Sequence, residues 1–142
     1  MSGAPNPDQL RQDWLGRLSG LIQTVRGWAE AMGWSTRQIE VSLEDSQIGK
    51  YKAPALLLQK EVTRILLEPI ARAAPGAEGV VDLYLMPAYD DIASLYLYPN
   101  GWHVHYMFPG TATMPDIREA EAKPLTEAAL KDVLEEMRKH AV

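Results

Sequence analysis

Hydrophobic and polar positions follow two different periods along the chain. Leu10, Trp14, Leu18, Leu21, Val25, Trp28 and Met32 succeed one another at spacings of three and four, and Ile22 and Ala29 widen that seam into a stripe. This is the period of an amphipathic helix. Asp8 is a candidate N-cap, and Gly33 stands where a glycine in the left-handed conformation ends a helix. Gly16, Gly20 and Gly27 each weaken the helix by about 1 kcal/mol relative to Ala, so tertiary packing has to hold it. The seam suits a helix laid on a sheet and is compatible with a homodimer face.

From residue 38 the period changes to two. Ile39, Val41 and Leu43 alternate with Gln38, Glu40, Ser42 and Glu44, as in a half-buried strand. A turn at 45–49 leads to a second strand over Lys50–Gln59, in which Pro54 points to an edge or a bulge. Residues 61–73 fit either a helix stripe or a strand entered through a tight turn at Lys60-Glu61. Pro69 would break a helix at its middle, so a strand is expected.

A turn-rich loop at 74–79 precedes three strands over 80–86, 92–98 and 102–108. The last two are joined by Pro99-Asn100-Gly101, which tolerates the positive φ of a tight reversal. Residues 109–123 read as loop, with a turn or an extra edge strand at 117–122. Thr126 is a candidate cap for a C-terminal helix. Leu125 and Leu130 can form its hydrophobic staple, and Leu130, Val133, Leu134 and Met137 its buried stripe. Glu127 at its start and Arg138, Lys139 and His140 at its end suit the helix dipole.

The expected fold is therefore α+β: a long N-terminal helix, about six mostly antiparallel strands in meander order, and a C-terminal helix. Both helices pack on one sheet face. Residues 1–7 are expected to form a disordered tail, and 8–142 a single domain.

Composition narrows the functions. The chain has 142 residues, a net charge of −5 and no cysteine. That length can bury roughly 70% of the unfolded surface without staples. Nucleic-acid binding is not expected without a basic footprint, and no apolar run reaches the length of a membrane span. The lack of cysteine removes thiol nucleophiles and fits a cytoplasmic location. No Gly-x-Ser-x-Gly elbow is present, and the glycine-bearing loop at 75–79 has no Lys and precedes a strand. Enzymatic function is not favoured.

Strand alternation nevertheless gathers polar groups. With Val81, Leu83 and Leu85 inward, Asp82 and Tyr84 face outward; the same reasoning puts Tyr96, Tyr98, His103 and His105 beside them. Tyrosine offers large contact area at low entropic cost. The leading expectation is a small protein-binding module of adaptor, chaperone-like or toxin-neutralising type, by analogy of architecture. It would hold a protein partner on a face bearing Asp82, Tyr84, Tyr89, Tyr96, Tyr98, His103 and His105, or on an exposed strand edge, with no cofactor.

The alternative is a metal-dependent enzyme or metal-binding domain. His103 and His105 share one face, and Asp82 is the candidate third ligand for a divalent metal. Asp90 and Asp91 are further choices. Glu68 and Asp82 invite comparison with nuclease metal sites, but no Glu-x-Lys or Asp-x-Lys follows Asp82. A third expectation is a small-molecule pocket between a curled sheet and the first helix, with Trp14, Trp28 and Trp34 near its rim.

Overall fold

Trp14 links the first helix to strands that are far apart in the sheet. Its indole Nε1 donates to the Tyr51 hydroxyl at 3.0 Å, and its ring centroid lies 6.3 Å from that of Trp102. Gly79 lies directly beneath the ring. The computed structural model that shows this describes residues 6–106 and 122–141.

In chain order the elements are α1 (Pro7–Ala31), β1 (Ser35–Asp45), β2 (Gly49–Lys60), β3 (Thr63–Ala71), β4 (Gly79–Leu85), β5 (Asp90–Tyr98), β6 (Gly101–His105), β7 (Lys123–Pro124) and α2 (Glu127–His140). The strands form one antiparallel sheet in the order β1 to β7, as short connections favour. The expected α+β meander is correct, with seven strands rather than six. The extra one, β7, has two residues, too few for a period to show.

Helix α1 begins earlier than expected. Asn6 is the N-cap, its side chain accepting from the Asp8 N–H at 2.9 Å, and Pro7 occupies the first turn. Asp8 is therefore a first-turn acid rather than the cap; Asn6 and Pro7 belong to the helix start, and residues 1–5 of the expected tail lie outside the described residues. Gly33 follows the Met32 cap with φ +90°, as the sequence indicates. Helix α2 starts at Thr126, whose hydroxyl accepts from the Ala129 N–H.

Residues 61–73 are mostly strand. Glu61 turns the chain with φ +54°, and Val62, 84% exposed, forms the tip of the β2–β3 hairpin. Pro69 marks the register shift in the β3–β4 ladder, between Pro69 and Ala71. Pro54 also fits: β3 pairs with β2 only over Leu56–Lys60, so among the described residues Pro54 has no strand partner on that side. Beyond that point β1 and β2 continue as a two-stranded ribbon. The buried positions of β2 change parity there, from Tyr51 and Ala53 to Leu56 and Leu58, with the β1–β2 register unbroken. Two-stranded ribbons twist most strongly, which accounts for the change.

Strand β6 ends at His105 rather than Phe108. Residues 107 and 108, and 117–121 of the turn or edge strand expected at 117–122, lie outside the described residues.

Leu18, Ile22 and Val25 of α1 and Leu130, Leu134 and Met137 of α2 share one core with Leu58, Leu67, Leu83 and Leu95 of the sheet. Both helices thus cover the same sheet face. None of the helices among the described residues is long and apolar enough to cross a membrane.

A partly buried ion pair ties the ribbon to the residue that follows β3. Arg72 reaches Asp45 at 3.1 Å, with 16% and 14% of the two side chains exposed. Burial alone would raise the pKa of Asp45. The Gln47 and Ile48 N–H groups and the Arg72 guanidinium outweigh it and hold the carboxyl below its usual range.

The contact beneath Trp14 gives a direct test. A Cβ at position 79 would lie 2.7 Å from Trp14 Cη2 and closer still to Cζ3. The indole is held by Tyr51 and Trp102 and has little room to retreat. Gly79→Ala is expected to destabilise the protein by about 1–3 kcal/mol, read as a lowered midpoint in chemical denaturation. An unchanged midpoint would show that Trp14 is free to move.

Candidate functional site

The sheet face opposite the helices carries the polar groups singled out by the alternation. On β4, Val81, Leu83 and Leu85 are buried in the core, which turns Asp82 and Tyr84 outward. Asp82 stands opposite Ser94, and Ser94 opposite His105. Tyr96 stands opposite His103, and Tyr98 opposite Gly101. Directly opposed residues share a face, so the expected outer row is assembled as read.

The rings on this face contact one another. Tyr96 and Tyr98 lie 6.2 Å apart, and Tyr98 meets the His103 ring edge-on at 5.0 Å. Tyr89 projects from the β4–β5 turn and packs edge-on against Tyr84 at 5.4 Å. That turn places both Tyr89 and Asp91 at positive φ, +57° and +54°. The left-handed region is uncommon for a bulky side chain, so the backbone conformation that seats Tyr89 beside Tyr84 carries strain.

The register adds a residue to the face. Glu68 on β3 stands directly opposite Asp82 on β4, so two carboxylates share one cross-strand position. Neither forms an ion pair among the described residues. Burial pushes Glu68 above its usual range, and the Asp82 charge raises it further. Burial also raises Asp82, partly offset by the hydroxyls of Ser94 and Tyr84. Tyr84 donates to Asp82 Oδ2 at 3.2 Å, while Asp82 Oδ1 is buried with no hydrogen bond of good geometry. Burial, followed by the nearby Asp82 charge, pushes the Tyr84 hydroxyl up to about 12.

The expected metal ligands do not converge. Asp82 and His105 are separated by the whole of β5, about 10 Å at ordinary strand spacing. The His103 Nδ1–H donates to the Gly101 carbonyl at 3.2 Å, which orients its ring along its own strand. No group of three His, Asp or Glu residues among the described residues is arranged to hold an ion.

A second cluster was not anticipated. Asp91 Oδ2 accepts from the Tyr106 hydroxyl at 2.7 Å and lies 2.7 Å from His140 Nδ1. Burial and the Asp91 carboxylate raise the Tyr106 pKa. The group anchors the last turn of α2 to the β4–β5 turn and the end of β6. The sequence offered Asp91 as a further metal-ligand choice and His140 as a residue favourable to the helix dipole, with nothing to bring the two together.

The three Trp residues expected at the rim of one pocket take different places. Trp14 is core, and Trp28 packs against it. Trp34 instead lies in the wall of a cleft of about 700 Å³ between the end of α1 and α2, beside Met32, Lys60, Lys131 and Arg138. The cleft carries charges of both signs, with Glu127 and Glu135 also on its walls.

No protein-family model, no curated protein and no solved structure matches this chain.

The carboxylate pair predicts a pH dependence. A carboxyl whose folded pKa is raised favours the folded state below its unfolded pKa, and that contribution is lost as pH rises through the folded value. Asp82→Asn removes this loss while retaining an acceptor for Tyr84. The variant is expected to gain stability relative to the wild type as pH rises from about 4 to 7. Denaturation midpoints for both proteins across that range check it; a constant difference would mean that the Asp82 charge is not penalised by folding.

Proposed function

We propose that this chain is a protein-binding module and that the open face of β3 to β6 holds its partner. The observation that supports this most is the composition of that face. Tyr84, Tyr89, Tyr96, Tyr98 and His103 form contacting aromatic pairs beside two carboxylates that form no ion pair among the described residues. Aromatic rings supply contact area that needs little ordering, and they attract cations through their faces. The Glu68–Asp82 pair, kept close by the strand register, is relieved of its repulsion when a positive group arrives.

The partner that fits is a protein segment presenting Lys or Arg between apolar or aromatic side chains. Nucleic acid does not fit, because phosphates would meet the carboxylates. The proposed location is the cytoplasm, in line with a chain without cysteine. A catalytic or metal-centred reading lacks a converging ligand set among the described residues.

The test is partner capture from an extract of the native cell, with variants on the face. Tyr84→Ala, Tyr96→Ala and His103→Ala are expected to fold normally and to lose most of the captured protein. Glu68→Lys, which places a cation opposite Asp82, should abolish capture and make the protein more stable at neutral pH. If all four variants retain the same partner at wild-type yield, this face is not the docking surface.

A further inference from the structure

The two edges of the sheet are built differently. Strand β7 has two residues, Lys123 and Pro124, a short edge guarded by a charge and a proline. Strand β1 has 11 residues, Ser35–Asp45, with no proline, no lysine and no break in its register. Its other edge is unpaired among the described residues. Proteins protect long regular edges from further pairing; β1 has no proline, lysine or bulge, and its charged residues Arg37, Glu40, Glu44 and Asp45 limit which strand can pair rather than block pairing outright.

Pro54 identifies the groups that β1 presents. It has no N–H and stands opposite Glu40 in an unbroken antiparallel ladder. The Glu40–Pro54 pair is therefore of the wide, non-hydrogen-bonded kind, and the N–H and C=O of Glu40 point away from β2. Alternation gives the same outward direction to the main-chain groups of Thr36, Gln38, Ser42 and Glu44.

We propose that β1 pairs antiparallel with β1 of a second copy about a two-fold axis at Val41, joining the two sheets into one. Charge selects this register. An axis at Glu40 sets that carboxylate against itself, and an axis at Ser42 opposes Glu40 to Glu44 twice. An axis at Ile39 places Arg37 against Val41 and Leu43 against Ser35. The axis at Val41 joins Val41 to Val41, Ile39 to Leu43, Glu40 to Ser42, Gln38 to Glu44 and Arg37 to Asp45. Apolar residues then meet on one face, and no like charges are directly opposed. The interface is isologous and closes after two copies. It does not use the outer face of β3 to β6, so it stands or falls separately from the partner-binding proposal.

Sedimentation equilibrium on the full chain and on three variants tests it. The wild type is expected to show a concentration-dependent dimer. Ser42→Glu places two like-charged pairs across the interface and should weaken the dimer roughly tenfold. The charge swap Glu40→Lys with Ser42→Glu restores opposite charges at both pairs and should recover it.

The chain has no cysteine, so Val41→Cys gives an unambiguous cross-link. Facing Cα atoms of a non-hydrogen-bonded pair lie about 4.5 Å apart, within disulfide range. That variant should form a covalent dimer on mild oxidation. A wild type that stays monomeric while Val41→Cys stays uncross-linked would overturn the proposal. So would a dimer indifferent to Ser42→Glu, or one that the charge swap does not restore; either would assign the contact to another surface.

Discussion

The packing of Trp14 constrains the sheet more than any other single contact. One indole touches Tyr51 on β2, the backbone of Gly79 on β4 and the ring of Trp102 on β6. In a flat sheet β2 and β6 lie four strand spacings apart, about 19 Å, beyond the reach of one side chain. The sheet must therefore curl around α1. The curl is possible because the β1–β2 ribbon is released from β3 at Pro54 and twists, and because position 79 has no side chain. Helix α1, with its three interior glycines, is held by this enclosure rather than by its own propensity.

Curling the sheet around α1 puts the aromatic row on the convex side. Side chains there spread apart, whereas those on the concave side converge on the helices. Convex faces leave gaps between neighbouring rings, and a partner side chain can enter such gaps without displacing core. The Glu68–Asp82 pair lies on this face. Its repulsion is maintained because both residues are fixed by main-chain register, and register is set by the core residues Ile65, Leu67, Leu83 and Leu85 on the opposite side of the same two strands. The core thus holds together two charges that would separate if they were free.

The periodic elements could be read from sequence because burial imposes its period on the residues. The seam from Trp14 to Ala29 and the alternation of Val81, Leu83 and Leu85 follow directly from one-sided packing. Residues 61–73 were assigned through Pro69, whose missing N–H argues against helix. Whatever depends on pairing between strands was less accessible. Glu68 meets Asp82 through the register that Ile65 to Pro69 keep with Val81 to Leu85, and no local pattern within either strand encodes which residue of the other stands opposite. His140 meets Asp91 across 49 positions of sequence. Outward direction alone put His103, His105 and Asp82 on one face, but a ligand set needs proximity, and the width of β5 separates the aspartate from His105.

The two surfaces proposed to bind differ in how they would be recognised. On the convex face side chains carry the chemistry, so specificity comes from ring spacing and the carboxylate pair. On the β1 edge the main chain carries the bonds, and any extended strand satisfies them. Selectivity at such an edge has to come from what stands opposite what. Glu40 and Glu44 supply it: they exclude the two-fold registers centred on Glu40 and Ser42 and permit the one centred on Val41. The same two glutamates, together with Arg37, also disfavour strands of unmatched charge, which is how an edge without proline or lysine can remain selective for its own copy.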